Sequence, residues 1–135
     1  MKIERGTAQG VLDDSYLKGW VIGHMVQEGG LGRTNDFEIK LWRYDRPIPE
    51  YGKKMFGGEG EFIIVEGGVL QLKLEKEGAG QIVTLRGDRR DFIILGEGIL
   101  KETMPFEMPT WGVTVRWPSQ KSINKQVVPG VVSGS

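Results

Sequence analysis

The chain has 135 residues, 18 acidic and 18 basic side chains, one histidine and no cysteine. That length makes one domain with a core large enough to need no staple, and the missing thiols exclude disulfide frameworks and thiolate metal sites. A formal net charge of zero declares no basic face for nucleic acid, and no apolar run approaches the roughly 18 residues that span a membrane.

In chain order, MKIERGTAQG has no apolar stretch, so no signal peptide is expected, and a cytoplasmic protein is. Residues 2–5 read as a short edge strand. Residues 11–18 carry Asp13, Asp14 and Ser15, which favour a turn or a single helical turn. Residues 19–27 read as a strand with Trp20, Ile22, His24 and Val26 on one face. A glycine-rich loop follows. Residues 36–44 alternate, with Phe37, Ile39 and Leu41 against Glu38, Lys40 and Trp42. The second set either meets water or lines a cavity, where Trp42 would be a stacking platform for a sugar or aromatic ligand. Pro47 and Pro49 end this strand. Residues 46–60 form a loop long enough to suggest function, which would place Tyr51, Met55 or Phe56 at the mouth of a pocket.

Phe62 to Val65 is an unbroken apolar run, Gly67-Gly68 follows, and Leu70, Leu72 and Leu74 then alternate with Gln71 and Lys73. Apolar run, Gly-Gly and alternating run predict a β-hairpin. Further strands are expected at 81–85, 91–95, 99–103 and 111–117, with a proline-bounded excursion at 104–110. Arg86-Gly87-Asp88 reads as a turn, not as an adhesion tripeptide. Twenty-one glycines, far above the usual ~7%, suit many tight turns. No long stretch has a helical period, so the expected fold is an all-β sandwich or barrel. Its core is expected from Phe62, Ile64, Leu70, Leu72, Leu74, Ile82, Leu85, Phe92, Ile94, Val113 and Val115. Four tryptophans, Trp20, Trp42, Trp111 and Trp117, are more than a small barrel interior readily holds, and a homodimer is expected to cover some of them.

Two stretches resemble the cupins, the family built on the double-stranded β-helix or jelly-roll barrel. GEGEFIIVEGGVLQLKL is similar to the first cupin motif, with Glu61 and Gly68 at its spacing. LRGDRRDFIILGEGIL is similar to the second, with Gly87-Asp88 opening the strand and Gly96-Glu97-Gly98 near the Pro-x-Gly turn. VTVRWPS at 113–119 and KGWVIGHMV at 18–26 also resemble short one-domain cupins, so the likeness covers roughly 18–119. It implies one cupin-like barrel over 1–118 and a C-terminal tail over 119–135, whose VVPGVV can dock on the barrel.

The resemblance also implies where a metal would sit, on three histidines and a glutamate. Only Glu61 of that set is present. The first two histidine positions fall on Lys54 and Phe56, or on Met55 and Gly57, and the third on about Lys101. The family's metal-dependent chemistry therefore does not carry over, and neither a metal nor another cofactor is expected. The pocket implied by the barrel is placed at Trp42, Lys54, Met55, Phe56, Glu61 and Lys101. Two functions stay open: a metal-free barrel that binds a sugar or small organic acid, non-enzymatic or regulatory in role, and a metal-independent isomerase or lyase using Lys101, Glu61 or His24. The binder is favoured, because Lys, Phe, Met and Gly make a pocket without a Lewis acid.

Overall fold

Two long strands carry the architecture. In the computed structural model, which describes residues 1–46 and 53–119, β4 (Gly60–Lys76) and β7 (Leu100–Trp117) pair antiparallel from Gly60 opposite Trp117 to Glu75 opposite Leu100. Each takes different partners along its two halves. The first half of β4 pairs with β6 (Phe92–Leu95) and the second with β5 (Ala79–Arg86). The first half of β7 pairs with β3 (Lys53–Met55) and the second with β2 (Glu38–Tyr44), which β1 (Trp20–Ile22) flanks. Ile63 and Val65 from one half of β4 share a core with Leu70, Leu72 and Leu74 from the other, joined by Trp42, Phe56, Leu85 and Leu95. The bent sheet thus closes over one interior, the jelly-roll arrangement expected for an all-β chain.

The predicted hairpin at Gly67-Gly68 is instead a bend within β4. Register shifts run from Val65 to Leu70 against β7, and such bulges turn a strand without ending it. Gly68 has φ +67°, a conformation glycine adopts without a Cβ penalty. Other boundaries also move. Residues 2–5 form no strand, and 19–27 contribute only Trp20–Ile22. The stretches expected at 99–103, 104–110 and 111–117 merge into β7. The long loop contains β3, while Tyr51 lies outside the described residues. A short α-helix, α1 (Ala8–Asp13), starts at Thr7, whose hydroxyl accepts from the Gly10 N–H at 3.1 Å. Ser119 is buried and its N–H donates to the Asn35 carbonyl at 3.0 Å, so the barrel reaches one residue past the expected boundary. The remainder of the tail, 120–135, lies outside the described residues.

Leu70, Leu72, Leu74 and Leu85 are core, as expected. Phe62, Ile64, Val113 and Val115 are only half-buried, and Ile82, Phe92 and Ile94 are 61%, 59% and 61% exposed. The error is one of phase: near the bend both faces of β4 and β6 are apolar, and the inner one holds Ile63, Val65 and Leu95. The outer one forms two rows across four strands. Ile39, Val115, Phe62 and Ile94 stand opposite one another, and so do Leu41, Val113, Ile64 and Phe92. Leu72→Ala is expected to cost about 2–5 kcal/mol, whereas Ile82→Ala should cost less than about 1 kcal/mol. Urea unfolding of both variants checks the assignment of faces; equal losses would contradict it.

Candidate functional site

Strand alternation sends Glu38, Lys40 and Trp42 of β2, Glu61 of β4, and Thr114 and Arg116 of β7 inward. The register then arranges their charges. Arg116 lies opposite Glu38 on one neighbouring strand and opposite Glu61 on the other, so a cation stands between two carboxylates in a cross-strand row. Its Nη1 is 3.0 Å from Glu38 Oε1, and its Nε and Nη2 are each 3.0 Å from Glu61 Oε2. From the other half of the barrel, Lys54 and Lys101 stand opposite each other on β3 and β7, a like-charge pair that needs a counter-ion. Glu61 supplies it. Lys101 Nζ donates to Glu61 Oε1, and Lys54 Nζ lies 3.5 Å from Oε2. Both ammonium groups also lie over the Phe56 ring, 4.8 and 5.7 Å from its centroid.

The cluster extends toward β1. Ser119 Oγ accepts from the His24 N–H at 2.8 Å and lies 3.4 Å from Glu38 Oε2, while His24 Nδ1 is 3.5 Å from the same carboxylate oxygen. His24 is half-buried and joined to this chain of charges rather than facing Glu61 directly. Burial alone would raise the Glu61 carboxyl, but Lys101, Arg116 and Lys54 outweigh it and hold it down at about 2.

Beside the cluster opens a half-enclosed cleft whose enclosed space is about 20 Å³, well below the ~300–1,000 Å³ typical of ligand sites. Its enclosed floor admits little more than a water, so an occupant must be small and seated toward the mouth. Trp42 and Tyr44, with ring centroids 5.7 Å apart, form one wall. Lys40, Lys101 and Arg116 bring three positive charges to the lining, Thr103 and Thr114 bring hydroxyls, and among the described residues no carboxylate lines it. Lys40 is half-buried, with Nζ 5.3 Å from the centre of the Trp20 ring. Burial, then the charges of Arg116 and Lys101, lower its pKa to about 8, against the opposing pull of Glu61 and Glu38.

Of the residues expected at the pocket, Trp42 and Lys101 line this cavity. Glu61 and Lys54 lie in the adjoining ion cluster. Phe56 is buried beneath the ammonium groups as part of the core, not at a mouth, and Met55 falls on the opposite side of β3 from Lys54. Sequence reasoning missed Tyr44, Thr103, Thr114 and Arg116 as lining. A signal existed for Arg116 and Thr114: they alternate with Val113 and Val115 just as Lys40 and Trp42 alternate with Ile39 and Leu41.

The donors do not fit the metal that the resemblance implies. Where imidazoles would stand are Lys54 and Lys101, and with Arg116 they surround the one remaining carboxylate with positive charge that opposes a cation. Among the described residues no group of three or more His, Cys, Asp or Glu is placed to hold a metal ion.

Fold and site together define a double-stranded β-helix barrel of the cupin type, with a cation-rich cluster where a metal donor set would be. Solved structures share the fold. An uncharacterized conserved protein with a double-stranded β-helix domain from Klebsiella pneumoniae superposes with a TM-score of 0.61 at 15% identity, over 90% of this chain and 93% of that one. The WlaRB TDP-quinovose 3,4-ketoisomerase from Campylobacter jejuni gives 0.56 at 12% identity, over 64% of this chain and 66% of its own length. Oxalate decarboxylase from Bacillus subtilis, a protein with Mn(II) centers, gives 0.54 at 16% identity, over 67% of this chain and 23% of its own. The chain thus spans just under two thirds of the ketoisomerase and under a quarter of the decarboxylase. Likeness at these identities establishes the fold. No protein-family model matches the sequence, and no curated protein does. No helix among the described residues is long and apolar enough to cross a membrane.

Proposed function

We propose that this barrel binds a small organic acid without a metal, as a binding or regulatory protein. The observation that carries the reading is the cavity lining: among the described residues, three cations and no carboxylate beside an aromatic wall. A carboxylate-bearing ligand brings negative charge against this lining and gains charge-assisted hydrogen bonds in a partly desolvated site. Binding is favoured over catalysis by Lys101 or Glu61, because each is already held by the other in the buried cluster. The test is thermal unfolding with a panel of small carboxylates and neutral sugars. An acid at 100 times its Kd should add about 2.7 kcal/mol of stability and raise Tm. Stabilisation by neutral sugars alone would replace this reading with stacking on Trp42.

The working unit in this reading is a homodimer joined through the outer face of β2, β7, β4 and β6. Eight apolar side chains in two facing rows, flanked by the exposed rings of Trp111 and Trp117, exceed the scattered apolar exposure of an ordinary monomer. A nearly uncharged face suits an isologous two-fold contact, in which the same patch meets itself. Trp42, by contrast, is spent on the interior. Light scattering at micromolar concentration should give a dimer, and the double variant Ile64→Lys, Phe92→Lys should give a folded monomer. A monomeric wild type would remove this part of the reading.

A further inference from the structure

We propose that the Lys40 amine captures a small 2-oxo acid as an imine, with the acid's carboxylate held by the charges of Arg116 and Lys101; this rests on the acid-binding reading of the same cavity. Three features single out Lys40 from the other cations of the interior. Unlike Lys54, it lines the cavity, near the aromatic wall and Arg116. Lys54, Lys101 and Arg116 are each within ion-pair distance of Glu61, whereas among the described residues no carboxylate lies that close to Lys40, whose ammonium rests on Trp20. The groups that face it are Arg116 and Lys101 from β7, Glu61 from β4 and Glu38 on its own strand, and the net effect with burial is a pKa of about 8. A desolvated lysine beside other cations is partly neutral near physiological pH, which is what an amine nucleophile requires.

The reaction balances without a redox partner. The neutral Nζ adds to the ketone carbon to form a carbinolamine. The carbonyl oxygen then leaves as water with the two amine protons, and the resulting imine nitrogen takes a proton from solvent. The cations that hold the carboxylate also disfavour a protonated amine before attack, so the same charges select the ligand and prepare the nucleophile.

The probe is pyruvate with sodium cyanoborohydride at pH 8, read by intact mass and peptide mapping, alongside thermal unfolding with pyruvate alone. At that pH roughly half of Lys40 is neutral, against under ~1% of an ordinary lysine. At least about tenfold more reduced adduct is therefore expected at Lys40 than at exposed Lys18, Lys73 or Lys76. Acetone, with the carbonyl but no carboxylate, should label Lys40 far less than pyruvate does. Lys40→Met and Lys40→Arg should both lose the site-specific adduct. The first removes a buried charge and should fold at least as well as wild type, and the second keeps the charge without a usable amine. Stabilisation by pyruvate with no adduct at Lys40 would overturn the covalent step and leave acid binding standing. Adduct spread over exposed lysines, unchanged in Lys40→Met, would overturn the proposal. Absence of both adduct and stabilisation by any small carboxylate would overturn the proposal and the acid-binding reading together.

Discussion

Glu61→Gln is expected to destabilise the barrel by about 3–5 kcal/mol, the usual cost of removing one partner from a buried ionic cluster. Glu61 is 0% exposed and is shared by Lys54, Lys101 and Arg116. Glutamine keeps the shape and one acceptor oxygen but takes from three closely placed cations the charge they share. The loss should therefore be relieved in part by Lys101→Met in the same chain, since that removes one of the charges left unbalanced. Acid acts on the same group. The Glu61 carboxyl sits at about 2 when folded, against an ordinary value of 4.5. A depressed carboxyl contributes stability that is present above the ordinary value and is lost as the pH falls through the folded one. The loss should run between about pH 4.5 and 2 and amount to something on the order of 3 kcal/mol. Urea unfolding from pH 7 to 2.5 should show this fall in wild type and a flatter profile in Glu61→Gln. A variant within about 1 kcal/mol of wild type at pH 7, with the same acid profile, would mean that the cluster is not a buried unit.

That cluster also explains how far the sequence could be read. Alternation in 36–44 is plain and places Glu38, Lys40 and Trp42 on one face; 111–117 alternates too, Thr114 and Arg116 against Val113 and Val115. What alternation does not carry is which face is inside. Apolar residues usually choose the interior, so Val113, Val115, Phe62 and Ile64 are expected in the core, while the face of Glu38, Lys40 and Trp42 stays open between water and a cavity. Here the interior near the mouth holds the charges, because each carboxylate has a cation opposite it in the register, and the displaced apolar set forms the outer face. The cupin resemblance names three residues of the ion cluster. Lys54, Glu61 and Lys101 come together although they lie on three strands, because the positions that would carry metal ligands converge whatever residues occupy them. Arg116 was missed because the stretch that carries it, VTVRWPS, implies no site residue. Its importance comes from standing between Glu38 and Glu61, a relation set by strand pairing over long sequence separations. Fold class was the most legible property, since strand length and glycine frequency report it directly. The Gly67-Gly68 bend was read as a hairpin because the same residues serve both geometries, and only the partner strands distinguish a chain that reverses from one that turns and continues.

The bend leads to the second large effect. Gly68→Ala is expected to cost about 3 kcal/mol or more, and Gly78→Ala only about 1–2 kcal/mol. Both glycines have positive φ, +67° and +81°, so alanine meets similar left-handed strain at either position. Their surroundings differ. A Cβ on Gly78, in the turn between β4 and β5, would meet nothing within 4 Å. A Cβ on Gly68 would lie 2.3 Å from the Pro109 carbonyl oxygen and 2.4 Å from that of Glu107, both backbone atoms of β7 that cannot turn aside as a side chain would. Relief requires β4 and β7 to separate where the sheet folds over, which would loosen the packing between Val65 and Leu70 on either side of the bend. Subtracting the Gly78 loss from the Gly68 loss removes the common strain and leaves the cost of the close approach. Urea unfolding of the two variants measures that difference. Losses equal within about 0.5 kcal/mol would show that the strands have room to part at the bend, and that positive φ alone is why glycine is needed there.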